Sequence, residues 1–516
     1  MPVGGTSNVS GRLENRVVVL ALAVLAGVLH GACFAPLGAW PLAFVALAPL
    51  VAATRGRGGL AGLALGWIAG TVASTLAVVP WIAAAARDYF QQGALGATLF
   101  ALGVGQLFGA LHVAAFGALL PRLGRLPSAA VRVLATAAAW TALELLRARA
   151  FTGAPWDLLA HALYAQPLWI QAADLGGAFL VSFVLAASSA AVGELLVAPR
   201  RQAVAALGVA AVLLGLTVGY GAVRLRSMND AEGPFVRVAL VQGNVPNPWR
   251  VDAARAEDAF RAFADATRSV IPSHPDLVVW PENAVSFLLA PNPRFGRAAA
   301  DILGSDGPGL LLGGPRYVAD GDGHVRFFNS VYLLAANGEP VMVYDKRHLV
   351  PFAEYAPLPR VPWLGWRFDA PGDYTPGVVP TIFPDPAPFG VLICFEAIYP
   401  ELARDLVRQG ARFLLNLSND AWFGTSAGLE QHLAMTVFRA VETRRALARA
   451  TNTGVTALVA PSGRIQARFP IGVRGAWVVQ VPLRDGLPFY ARAGDLFAWF
   501  TTLGALGALA AAGRLR

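Results

Sequence analysis

Cysteine and charge are both scarce in this chain. Only two cysteines occur in 516 residues, Cys33 in the first apolar run and Cys394 in a more polar region. No disulfide framework and no cysteine-based zinc site can be built from them. The seven histidines are scattered, with no HExxH and no paired spacing, so neither a metal site nor a cofactor is expected. Charged residues make up 14% of the chain against 56% hydrophobic, too few charges for an ordinary water-soluble surface. The formal charge of +9 is spread over arginines that stand singly or in pairs between apolar runs. No basic stripe interleaved with aromatics is present, which argues against nucleic acid as a partner. Strong internal repeats are also lacking.

The apolar residues are concentrated. They fill residues 17–223 and a short C-terminal piece, whereas 234–490 reads as ordinary globular sequence. Three regions are therefore expected: membrane helices in 1–233, an inserted domain in 234–490 and a last membrane helix in 491–516. A helix needs about 20 apolar residues to cross the hydrocarbon core. About eight spans are predicted, near 17–36, 39–53, 59–82, 92–120, 129–146, 168–197, 202–223 and 495–513, seven of them before the inserted domain. The first run follows Arg12 and Arg16 as a signal peptide would, but continues past Trp40 into further spans, so a retained helix is expected.

An even number of spans puts both termini on one side. With that side in the cytoplasm, Arg12, Arg16, Arg55, Arg57, Arg122, Arg125, Arg200, Arg201, Arg514 and Arg516 all fall inside. Arg87, Arg147 and Arg149 lie in opposite loops near Asp88, Asp157 and Asp174, and Arg224 and Arg226 go against the trend. The balance follows the positive-inside rule and places 224–494 outside the cytoplasm. A lone thiol kept in an oxidising compartment, with no partner, favours a use for Cys394. The loop Phe151–Pro167 lies on the same outer side; its aromatics suit interfacial anchors or an entrance from the membrane.

From Phe235 short β-branched runs alternate with helical ones. Strands are predicted at 236–244, 276–283, 309–317, 330–337, 339–349, 389–393, 412–420 and 453–463, with helices over 250–270, 400–408 and 430–445. That alternation implies an α/β domain with helices on the sheet faces.

Three ionisable residues stand at strand ends: Glu282 after LVVWP, Lys346 in VYDKRHL and Cys394 after GVLI. A free cysteine is commonly an inert core thiol, and strand-end carboxylates and lysines are commonly solvated. Together the three can do chemistry. A thiol is only slightly ionised near neutral pH and needs a base or a nearby cation. Glu282 can take the thiol proton and return it to a leaving group. Lys346 can lower the thiol pKa and hold a developing oxyanion, with the backbone N–H of Phe395 as a second donor.

The order WPEN (280–283), YDKRHLVPFAEY (344–355), ICFE (393–396) and SNDAWFG (418–424) resembles the nitrilase, or carbon–nitrogen hydrolase, superfamily. With VQGN (241–244) and membrane helices on both sides, nearly the whole chain is similar to the apolipoprotein N-acyltransferase family. The resemblance implies an α-β-β-α sandwich with Glu282 as base, Lys346 as oxyanion partner and Cys394 as nucleophile. It further implies supporting roles for Glu354 and Glu396 and a lid or substrate contact for Trp249. Phe395 stands where the family often has tyrosine, so an aromatic packing role is expected of its ring. The implied partners are a phospholipid acyl donor and a diacylglyceryl lipoprotein acceptor, handled by a monomer in the bacterial inner membrane with its catalytic domain on the periplasmic side. Segments 352–375 and 420–430, rich in aromatics, proline and glycine, are candidate lids.

Two other readings stay open on the residues alone. One is a membrane-tethered amidase that hydrolyses a small C–N substrate. The other is a transporter or inactive scaffold, for which the spans carry few of the polar residues a conduction pathway uses.

Overall fold

Apolar helices and a two-sheet domain are built from separate stretches of sequence. The structure, a computed structural model, describes residues 16–230, 232–245, 253–285, 293–304, 307–319, 324–355 and 374–515. Trp249 and most of the 352–375 candidate lid lie outside the described residues.

Among the described residues six helices are long and apolar enough to cross a membrane: Gly59–Ala77, Ala94–Leu123, Ala129–Arg149, Ala173–Val197, Arg200–Ser227 and Leu496–Arg514. The first two predicted spans are shorter. Arg16–Ala32 is a 17-residue helix, and 39–53 divides into a 3₁₀ turn at Trp40–Phe44 and a short helix at Ala48–Thr54. Pro41 and Pro49 each start one of these pieces, because proline lacks the N–H that a continuous helix needs there. The outward faces stay apolar: Leu60, Leu95, Val212, Leu216 and Leu503 are exposed, as a lipid-facing surface requires.

Among the described residues the inserted domain carries twelve strands in two six-stranded sheets. In chain order they are β1 Phe235–Gln242, β2 Leu277–Val279, β3 Gly309–Ala319, β4 Val325–Leu334, β5 Pro340–Asp345, β6 Ile382–Phe383, β7 Phe389–Ile393, β8 Phe413–Ser418, β9 Leu447–Thr451, β10 Ala457–Val459, β11 Ile465–Arg468 and β12 Gly475–Pro482. One sheet runs β12-β1-β2-β3-β4-β5 and the other β11-β10-β9-β8-β7-β6. Each has three adjacent parallel strands in its middle, β1-β2-β3 and β7-β8-β9.

Alternation along the strands builds the layers, since successive side chains point to opposite faces. Val238 and Leu240 meet Val391 and Ile393 between the sheets. Ala239 and Val241 face Phe263 and Ala299, from helices Ala253–Val270 and Pro293–Leu303. On the other side Leu392 and Leu414 face Leu406 and Val437, from helices Pro400–Arg408 and Gly428–Thr443. The order is helix, sheet, sheet, helix.

Helix Gly428–Thr443 also joins the domain to the bundle, and nearly all of its residues are buried. Gln431 donates to the carbonyls of Ala35 and Ala77, both at 2.8 Å. Just after the helix, Arg444 pairs with Asp174 at 2.7 Å. Asp174 also accepts from Arg224 at 3.1 Å, which gives that arginine an interior partner. Arg149 likewise bonds Glu401 and Asp495, and Arg147 donates to the Phe108 and Asp157 carbonyls. These arginines, at the ends of helices Ala129–Arg149 and Arg200–Ser227, are tied to protein groups, so they carry little topology signal.

Candidate active site

The putting-together of the site happens where strands end. Glu282 follows β2, Lys346 follows β5, Cys394 follows β7 and Asn419 follows β8, so the groups meet at strand C-termini, as ligand sites in open α/β sheets do. Close packing behind Glu282 depends on Gly313: a Cβ there would lie 2.6 Å from the Glu282 Cα.

Lys346 is at the centre, fully buried. Its Nζ donates to Glu354 at 2.9 Å and to Glu282 at 3.2 Å. Asn329 donates to the same two carboxylate oxygens, each at 2.8 Å. The second Glu282 oxygen accepts the Asn419 N–H at 3.0 Å, and the second Glu354 oxygen accepts the Val350 N–H at 2.7 Å. Burial works against the lysine charge, but Glu282 and Glu354 outweigh it and hold its pKa well above the ordinary value.

Cys394 has φ +49°, a left-handed conformation that costs energy outside glycine and concentrates at functional positions. The residue is 2% exposed. Burial and the Glu282 carboxylate push its pKa well up, and Lys346 offsets them only in part. Lys346 thus acts on the thiol in the direction expected of it, but burial is the larger effect. Glu282 is the carboxylate whose charge acts on the thiol most.

Glu396 bonds two loops together. Its Oε2 accepts the Ile393 N–H at 2.7 Å, and its Oε1 accepts the Tyr344 hydroxyl at 2.8 Å and the Arg347 and His348 N–H groups at 2.7 and 3.2 Å. It holds the backbone just before Cys394 and just after Lys346 rather than the Cys394 thiol or the Lys346 ammonium. Burial raises its pKa.

An apolar cavity of about 1140 Å³, open mouth included, lies beside this cluster. Trp81, Ile82 and Val104 of the bundle form one wall, Phe352 and Phe395 another, and Trp156 and Trp422 also line it. Phe395 packs edge-on against Tyr399, the aromatic role expected of it. The 420–430 segment packs on the bundle, with Phe423 buried and 5.2 Å from Trp81 between ring centres. Trp156, from the 151–167 segment, donates to Gln431 at 2.8 Å.

Two sequence regions match family models, residues 26–191 the apolipoprotein N-acyltransferase N-terminal domain and residues 237–485 carbon-nitrogen hydrolase. An apolipoprotein N-acyltransferase of Geobacter metallireducens is 34% identical over 94% of this chain and 93% of its own. The chain belongs to the apolipoprotein N-acyltransferase family. The Pseudomonas aeruginosa relative is also 34% identical, over 93% of this chain and 94% of its own, and that of Azotobacter vinelandii is 36% identical over 91% and 90%. An amidase from Nesterenkonia sp. is 17% identical, covering 52% of this chain and 97% of its own, with a TM-score of 0.37.

As an apolipoprotein N-acyltransferase family member, the chain is a membrane-embedded acyltransferase with a nitrilase-like domain. Of the residues singled out from sequence, Glu282, Lys346 and Glu354 share direct hydrogen bonds, Cys394 lies within their electrostatic reach, and Glu396 braces the backbone. Reading the sequence missed Asn329 and Asn419, which orient Glu282. A buried asparagine in the run FFNSVYLL was the available signal for Asn329.

Proposed function

We propose that the chain transfers an acyl chain from a membrane phospholipid, through a Cys394 thioester, to the α-amine of a diacylglyceryl-cysteine lipoprotein. The observation that carries this reading is the apolar cavity, walled jointly by bundle helices and by Phe395, the residue next to the thiol. A small polar amide needs no such wall; an acyl chain does, at ~0.8 kcal/mol for each methylene removed from water.

In the first half-reaction Glu282 takes the thiol proton as sulfur attacks the ester carbonyl. The Lys346 ammonium and the Phe395 N–H receive the negative charge on the carbonyl oxygen. The C–O bond breaks, and Glu282 returns the proton to the departing lysophospholipid oxygen. In the second half-reaction the amine nitrogen attacks the thioester and gives a proton to Glu282. The C–S bond breaks, and the proton returns to sulfur. Glu354 and Asn329 hold Lys346 and Glu282 in register, while Glu396 holds the two loops. An apolar approach keeps water from intercepting the thioester.

The domain of 234–490 is placed on the periplasmic side of the inner membrane with both termini cytoplasmic, following the arginine distribution; two short helices join six full spans to make eight. The test is to incubate the purified protein with a defined diacylphospholipid and a diacylglyceryl-cysteine peptide. Equal amounts of lysophospholipid and acylated peptide are expected. Free fatty acid with unmodified peptide would instead favour a hydrolase.

A further inference from the structure

The carbonyl of Cys394 is held by an interior polar relay that the two half-reactions leave unused. His432 Nε2 lies 3.1 Å from that oxygen, and Asn416 Nδ2 lies 3.3 Å from it. A carbonyl only accepts, so Nε2 carries the ring proton and donates it. The other nitrogen, Nδ1, then accepts the Arg449 guanidinium at 3.0 Å. Arg449 also pairs with Asp420 at 2.7 Å and donates to the Asn416 side-chain oxygen. Asp420 Oδ1 lies 3.2 Å from His432 Nδ1, two acceptors bridged by the Arg449 guanidinium, and is itself held by the Ser418 hydroxyl at 2.6 Å. All of these side chains are buried. Gly454 makes the room, since a Cβ there would lie 2.2 Å from Asp420 Oδ2.

The grip acts on more than the oxygen it touches. The Cys394–Phe395 peptide is trans, and in a planar trans peptide the carbonyl and the following N–H point in opposite directions. Pinning the oxygen toward His432 therefore aims the Phe395 N–H away from the relay. Turning that peptide over would break the bonds from β8 and from helix Gly428–Thr443 together. Because the left-handed backbone at Cys394 is strained, the peptide needs such outside restraint.

We infer that His432, fixed by Arg449, which Asp420 in turn holds, and assisted by Asn416, is a positioning residue that orients the Phe395 N–H toward the oxyanion by holding the Cys394 carbonyl. The inference rests on the thioester reading above. It makes a distinction that a merely structural histidine would not make. Acylation passes through an oxyanion, whereas alkylation of the same thiol by iodoacetamide displaces iodide at a saturated carbon and forms none.

The test compares full-length wild type, His432→Ala and His432→Gln in detergent micelles. Acylation by a defined diacylphospholipid is followed by intact mass, and carbamidomethylation by the mass of the Cys394 peptide. Both variants leave the Arg449–Asp420 pair in place. Removing an oxyanion donor outright costs roughly 100- to 1000-fold, so misaiming one in His432→Ala should slow acylation roughly 10- to 100-fold. KM for phospholipid, the thermal midpoint and the alkylation rate should stay near wild type. His432→Gln, whose amide N–H can reach the same carbonyl, should recover much of the loss. Acylation and alkylation falling together, or acylation unchanged in His432→Ala, would overturn the role. Wild type that takes no acyl chain at all would remove the proposed function, and this role with it.

Discussion

Replacing Glu396 by glutamine should destabilise the catalytic domain although the two side chains have the same shape. Glu396 is fully buried and accepts four donors, three on Oε1 and one on Oε2. An amide has one oxygen, so either Ile393 or the Tyr344–Arg347–His348 group loses its acceptor and faces an N–H₂. In the milder arrangement the Ile393 N–H is orphaned at a cost of ~1–3 kcal/mol. The three remaining bonds lose the charge that roughly doubles their strength. Together these effects give a loss of about 2–4 kcal/mol. For a domain of this size that corresponds to a thermal midpoint lower by roughly 5–15 °C. The assay is thermal unfolding in mild detergent, followed by tryptophan fluorescence, with Asp265→Asn as control because that carboxylate is largely exposed. The control should move little. A Glu396→Gln midpoint within about 2 °C of wild type, with acylation retained, would refute the bracing role.

Asn329→Ala should slow acylation roughly 10- to 100-fold, since it removes one charge-assisted donor from both Glu282 and Glu354; an unchanged rate would show that Lys346 alone orients them. His348 has a pKa lowered to about 4 by burial. Its folded pKa lies below the unfolded value of about 6.5, so its contribution to stability is present above that value and is lost as pH falls toward 4. The thermal midpoint should drop across that window, and His348→Gln should flatten part of the slope. Val104→Trp narrows the cavity and should raise KM for long-chain donors while sparing short-chain ones; equal effects on both would argue against the cavity as the acyl site.

Glu282, Lys346 and Cys394 were legible in the sequence as a set because each follows a strand, and WPEN, YDKRHL and ICFE announce those corners. Their supports were not, because each acts across a distance that local pattern does not encode. Asn329 meets Glu282 from 47 positions away, and His432 meets Cys394 from 38. The same problem hid β9: in LARAT the buried Arg449 breaks the apolar pattern. The strands β11 and β12 were missed as well, and β6 spans only two residues. How far Lys346 shifts the Cys394 thiol could not be read from the sequence for a different reason. Sequence names the nearby cation but gives no measure of burial, and here burial dominates. Six of the eight predicted spans overlap helices long enough to cross a membrane, whereas the first is shorter and the second is divided at Pro41 and Pro49.

The central claim is that Cys394 carries the acyl group. Its most direct test is the intact mass of the purified protein after incubation with a defined phospholipid, beside Cys394→Ala. The account predicts added mass equal to one acyl chain on the wild type alone, removed by a nucleophilic amine. An unmodified wild type with intact lipid, or an adduct that persists in Cys394→Ala, would contradict it.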